Sequence, residues 1–154
     1  MHSFDGGGFG LGLLWCTLAV AVLLGGTFAL ALKLQKHSVV DVAWGLGFVV
    51  VAVVNYVASA GSGNDTRRGM LLAMVVVWGA RLAWHIGRRN AGHGEDPRYE
   101  ELLGKVAPEE RNAHALRMIY GLQGLLILFI SLPVQVAAYW SGREMNSTSS
   151  ACRP

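Results

Sequence analysis

Four apolar runs, each near the ~20 residues a helix needs to cross a hydrocarbon core, constrain this chain more than any other feature. They lie at about 9–32, 39–60, 70–86 and 118–139. Backbone in lipid must satisfy its own hydrogen bonds, so runs of this length are expected to be helices. Charged residues make up 15% of the chain, against about 25% in a soluble domain, and the deficit points the same way. The expected fold class is all-α: a polytopic membrane bundle of about four transmembrane helices over 1–140, followed by a polar, disordered tail at 141–154. The first run is too long, and its start too free of basic residues, for a cleaved signal peptide. Glycines within the runs (Gly25, Gly26, Gly45, Gly47, Gly79, Gly121, Gly124) allow helices to approach closely. Pro133 removes a backbone donor inside the fourth run and predicts a kink there.

Basic residues set the expected orientation, because Lys and Arg are retained on the cytoplasmic side. One side holds Lys33, Lys36, Arg88, Arg89, Arg98, Lys105, Arg111 and Arg117; the other holds Arg67, Arg68, Arg143 and Arg153. This asymmetry puts the loop at 87–117 in the cytoplasm and both ends outside. Within that loop Pro97 stops any helix continuing from the third run, and Tyr99 to Lys105 can form an amphipathic turn with Leu102 and Leu103 toward the membrane. Pro108-Glu109-Glu110-Arg111 is a helix start, with acids at the positive end of the dipole. The basic residues form no face interleaved with aromatics, which argues against nucleic acid as a partner. Cys16 and Cys152 have no metal or redox spacing, and His85, His93 and His114 are too irregularly spaced to suggest a metal site.

Ionisable groups at a membrane boundary are costly and need a reason. Asp41 stands about one turn inside the second run and shares a helix face with Trp44, three residues on. Desolvation suits such a carboxylate to donating a proton or orienting a substrate; capping the helix, or pairing with Arg81 or Lys36, is the packing alternative. Arg81, His85 and Arg88 fall at spacings of four and three along the third run. That stripe suits an anion such as a cofactor phosphate, whereas Arg88 and Arg89 also read as interfacial anchors. Gly92 and Gly94 permit a turn that folds Glu95, Asp96, Arg98 and Tyr99 back toward the helix end, with Tyr99 as a proton donor and Arg98 and its neighbours holding an anion, unless the loop is a self-neutralising surface. Gln123 is an intramembrane amide, available to a substrate or to another helix.

These pieces resemble the bacterial membrane family related to steroid 5-alpha-reductases, catalogued as DUF1295. The resemblance rests on His37-Ser38-Val39-Val40-Asp41-Val42-Ala43-Trp44-Gly45, on Trp78-Gly79-Ala80-Arg81-Leu82-Ala83-Trp84-His85 through Arg88-Arg89-Asn90, on Gly94-Glu95-Asp96-Pro97-Arg98-Tyr99, and on Gln123 with Ser131-Leu132-Pro133. It implies a membrane oxidoreductase that uses NADPH to reduce a C=C bond conjugated to a carbonyl in a lipophilic enone, in the bacterial inner membrane. On that reading Asp41, His85 and Tyr99 are catalytic: the resemblance implies an acid and a tyrosine that together polarise the carbonyl, with Asp41 as the acid and either His85 or Tyr99 in the tyrosine's place. Trp44 and Gln123 bind substrate, and Arg81, Arg88, Arg89, Glu95, Asp96 and Arg98 face the cofactor. The chain reads as the amino-terminal half of such an enzyme, with most of the cofactor site beyond it. The other reading is a non-catalytic helical subunit or remnant that requires a second polypeptide. A small transporter using Asp41 and Arg81 is a third, without an inverted repeat to support it.

Overall fold

The computed structural model describes residues 3–61, 64–92, 94 and 96–141. His93, Glu95 and all but Ser141 of the tail expected over 141–154 lie outside the described residues. Helix α1, Gly6–Leu34, starts where the Asp5 carboxylate accepts from the Gly8 N–H at 2.9 Å. It ends at Gln35, whose left-handed backbone (φ 51°) returns an N–H to the Ala31 carbonyl and turns the chain sharply into α2, Val39–Ala58. Helix α3, Asp65–Asn90, is capped by Asn64, whose side chain accepts from the Arg67 N–H.

Sequence periodicity ends the third run at 86, but α3 continues for another turn. Its last residue is held from outside: Lys36 donates to the Asn90 carbonyl at 3.0 Å and the Asn90 amide to the Ser38 carbonyl at 3.4 Å. The expected loop at 87–117 is therefore mostly helical. Helix α4, Pro97–Gly104, is capped by Asp96, whereas α5, Arg111–His114, begins only after Pro108, Glu109 and Glu110, so the acids expected in its first turn precede it. A π-helical segment, Ala115–Gly121, then leads into α6, Leu122–Ala138, which continues through Pro133. The wide π turn has no signature in hydrophobic periodicity. Two residues at each end, Ser3–Phe4 (β1) and Trp140–Ser141 (β2), pair antiparallel.

Helix α2 is the hub of the bundle, with 44% of its apolar window buried, against 17% for α1 and 11% for α3. Its contact with α3 is backbone to backbone, since a Cβ placed on Gly79 would stand 2.7 Å from the Gly45 carbonyl oxygen. Helix α6 runs parallel to α2, with Ile127 filling the space over Gly47 and the Asn55 amide donating to the Val134 carbonyl at 3.5 Å. Side chains from α1, α2, the π segment and α6, among them Cys16, Val20, Val40, Val51, Tyr120 and Ile127, close the core.

Outside that core the helices expose Val22, Met74, Val77, Trp84 and Phe129. Burial of apolar surface contributes about 25 cal/mol per Å² in water, and a soluble chain does not leave such faces uncovered all round. Lipid is the solvent these faces fit. The chain is an integral membrane protein, an all-α bundle with four helices long and apolar enough to cross a bilayer.

Candidate active site

The site begins with where α4 can go. Pro97 fixes the first turn, and the Asp96 side chain caps it by accepting from the Arg98 N–H at 2.9 Å. One face of the short helix then carries Tyr99, Leu102 and Leu103, all packed against the core rather than against lipid. This docking swings the Tyr99 ring, 8% exposed, over the first turn of α2. Its hydroxyl donates to Asp41 Oδ1 at 2.7 Å.

Asp41 keeps 17% of its side chain exposed, and the nearest cation to its second oxygen is Arg98, with Nη2 at 3.7 Å from Oδ2. Lys36 and Arg81 do not take the partner's role: Lys36 donates to the Asn90 carbonyl, and Arg81 is exposed on α3. Arg98 is itself held by Asp96 through two hydrogen bonds, at 3.0 and 2.8 Å, and its guanidinium lies 5.8 Å from the centre of the Tyr99 ring. The Arg98 guanidinium holds the Asp96 carboxyl down to about 2. Burial, and then the hydrogen bond to Asp41, push the Tyr99 phenol up from its ordinary value. Tyr99 is therefore a protonated donor at neutral pH, and its proton is aimed at Asp41 Oδ1.

A cavity of about 420 Å³ opens beside this pair, with Tyr99, His37, Gln35, Glu100, Arg111 and Asn112 among its lining residues. The His37 ring lies 6.1 Å from the ring of Tyr120 and 6.4 Å from Phe28, and Tyr120 is 2% exposed on the π segment. In the sequence His37 stands only as part of a motif, and neither Tyr120 nor Arg111 stands out as a site residue. The spacing of His37 and Asp41, one turn apart across the start of α2, is the signal that could have found the histidine. Tyr120 could not have been found, because its direction depends on the π turn.

Of the expected site residues the structure brings Asp41, Arg98 and Tyr99 together, with Asp96 behind Arg98. Trp44 stacks with Phe48 at 6.0 Å, which in turn meets Trp78 of α3 at 5.3 Å. Gln123 sits one turn beyond Tyr120, and its Oε1 is buried without a hydrogen-bond partner among the described residues. Arg81, His85, Arg88 and Arg89 are exposed on α3, whose packed side is Gly79 and Ala83. At 100° per residue, positions two along from those small residues point the opposite way. The stripe of Arg81, His85 and Arg88 exists, but it faces away from α2; Arg88 leans over Trp84 at 6.0 Å.

Fold and site together define a polytopic helical membrane protein with a carboxylate and a phenol joined at one end of the bundle. The chain belongs to the DUF1295 family, described as a protein of unknown function, whose model matches residues 27–151. No curated protein and no solved structure matches the chain.

Proposed function

We propose that this protein supplies the carbonyl-binding wall of a membrane-embedded reductase acting on the conjugated C=C bond of a lipophilic enone. The observation that carries the reading is the 2.7 Å hydrogen bond from Tyr99 to Asp41 beside a cavity. An enone carbonyl placed on the phenol accepts its hydrogen bond, which draws electron density toward oxygen and leaves the β carbon electrophilic. The phenol turns its hydrogen from Asp41 to the substrate carbonyl, and a proton taken from solvent by way of the partly exposed Asp41 then restores the phenol, so the two act as a relay. Arg98, 3.7 Å from Asp41, tempers the negative charge when that proton has moved. Trp44 and Gln123 are not among the residues lining the cavity, so the apolar body of the substrate would meet them only beyond it, where the buried Gln123 Oε1 lacks a donor.

NADPH is the reductant proposed, and it supplies hydride when bound. The described residues do not build a cradle for it: Arg111 is the one permanent cation among those lining the cavity, with Glu100 beside it. Arg81, Arg88 and Arg89 face elsewhere. No step is therefore assigned through the nucleotide. The incomplete cradle favours a second reading, a helical subunit whose partner polypeptide holds the cofactor. The proposed setting is the bacterial inner membrane, with α4 on the cytoplasmic side and both ends outside.

The test is NADPH fluorescence titrated against the purified chain in lipid nanodiscs, followed by consumption of a lipophilic enone. Saturable NADPH binding with enone reduction, lost in Asp41→Asn and Tyr99→Phe, supports the enzyme. Absence of NADPH binding sinks the autonomous enzyme and leaves the subunit.

A further inference from the structure

Arg67 and Arg68 are neighbours in the first turn of α3, at the end of the bundle remote from Asp41, and their guanidinium groups meet opposite environments. Arg68 is 5% exposed and saturated. It donates to Ser59 Oγ at 2.9 Å and to the Tyr56 carbonyl at 2.6 Å, pairs with Asp65, and lies 4.9 Å over the Tyr56 ring. Arg67 Nε and Nη2, by contrast, are out of water and have no acceptor among the described residues. The Arg67 side chain lines a groove of about 500 Å³ whose other walls are Leu132, Pro133, Val136 and Ala137 of α6, with Trp140 at its rim.

A guanidinium stays charged in any protein setting, and although Arg67 is partly exposed, two of its N–H groups held out of water against apolar walls without an acceptor are costly. Arg67 therefore calls for an anion. The groove adds a second requirement, because only an anion that carries an apolar tail fills it. Positive charge on this side of the bundle is also sparse, and Arg68 already has a packing reason to be there.

We propose that this groove binds one phospholipid, its phosphate diester on Arg67 and one acyl chain along α6. The guanidinium fork matches two phosphate oxygens, and its flexible stem lets it turn toward the rim where a headgroup lies. From Trp140 to Leu132 the helix extends roughly 12 Å, within the ~15 Å of hydrocarbon in one leaflet. Phosphatidyl lipids supply both features in one molecule. Free phosphate lacks the tail and diacylglycerol lacks the charge. The site is independent of the reductase reading, since it lies at the other end of the bundle.

Native mass spectrometry of the full chain released from detergent tests this, with phosphatidylcholine, diacylglycerol of the same acyl chains and inorganic phosphate as probes. One phosphatidylcholine is expected to be retained at least about tenfold more tightly than diacylglycerol, with no retention of inorganic phosphate. Arg67→Gln should weaken the phospholipid by about tenfold. Ala137→Phe, which fills the groove and leaves Arg67 in place, should do the same and carries the test should Arg67→Gln fail to fold. Equal retention of phosphatidylcholine and diacylglycerol, displacement of the lipid by inorganic phosphate, or unchanged lipid binding in a folded Arg67→Gln chain would overturn the proposal.

Discussion

The Tyr99 hydroxyl reaches across from α4 to donate to Asp41 on α2 at 2.7 Å, joining two residues 58 positions apart in the chain. That bond closes one end of the bundle, and it makes the docking of α4 and the chemistry of the site the same event. Removing the hydroxyl while keeping the ring isolates it. Tyr99→Phe should lower stability by about 1.5–3 kcal/mol, the range for a hydrogen bond to a charged group. Thermal unfolding in detergent, followed by circular dichroism, checks this; an unchanged midpoint would mean that the bond does not hold α4 down.

The pH dependence of α4 docking follows from two shifted groups. The Tyr99 phenol is raised above its ordinary 10.0, so its contribution is fully present below pH 10.0 and is lost as pH climbs through the higher folded value. Asp96 is depressed from 3.8 to about 2, so its contribution is present above 3.8 and fades as pH falls toward 2. Docking should therefore be flat across neutral pH and fail at both extremes. Phenolate absorbance should report Tyr99 ionising at lower pH in Asp41→Asn than in the unaltered chain, because the negative neighbour is gone. Identical titrations in both chains would contradict the pairing.

Helices α2 and α3 touch through glycine, and a methyl group tests the contact. Gly79→Ala forces its Cβ to 2.7 Å from the Gly45 carbonyl oxygen and should cost about 1–3 kcal/mol as overpacking. Gly26→Ala meets nothing within 4 Å. It should be neutral, or stabilising by roughly 0.5–1 kcal/mol, because glycine is the poorer helix former. Comparing the two midpoints in one detergent separates packing from propensity.

The two arginines at the start of α3 should differ sharply. Arg68→Met strips donors from the buried Ser59 hydroxyl and the Tyr56 carbonyl and should destabilise by about 2–4 kcal/mol. Arg67→Gln removes no bond within the described residues and relieves two donors that lack an acceptor, so in lipid-free detergent it should leave stability unchanged or raise it. Equal losses would place Arg67 in the structural network.

His85 and Tyr99 competed for one role in the sequence. His85→Gln should leave α4 docking, the Tyr99 titration and any enone reduction unchanged, since His85 is exposed on the far face of α3. A loss of reduction with the Tyr99 titration intact would return the histidine to the site.

Hydropathy made the four spans legible, because each must satisfy its backbone within itself and show an apolar surface to lipid. Pro97 and Pro108-Glu109-Glu110-Arg111 were also local signals: α4 begins at Pro97, and α5 at Arg111, the last residue of its expected start. Three features were not legible. The last turn of α3 is held by Lys36 and Ser38, more than fifty positions away. The π segment that aims Tyr120 at His37 breaks the 3.6-residue period on which helical faces are read. The stripe of Arg81, His85 and Arg88 was visible, but its direction depends on which side of α3 meets α2, and Gly45 against Gly79 decides that.

By itself, then, the sequence determined a membrane bundle of four spans, because span length and apolarity are properties of single segments that lipid reads one at a time. It also singled out Asp41, as a carboxylate set where desolvation is expensive. Only the tertiary structure decided which residue answers that carboxylate. A hydrogen bond requires two groups within about 3 Å, and the fold of α4 across the bundle end, not spacing along the chain, brings Tyr99 there while leaving His85 outside.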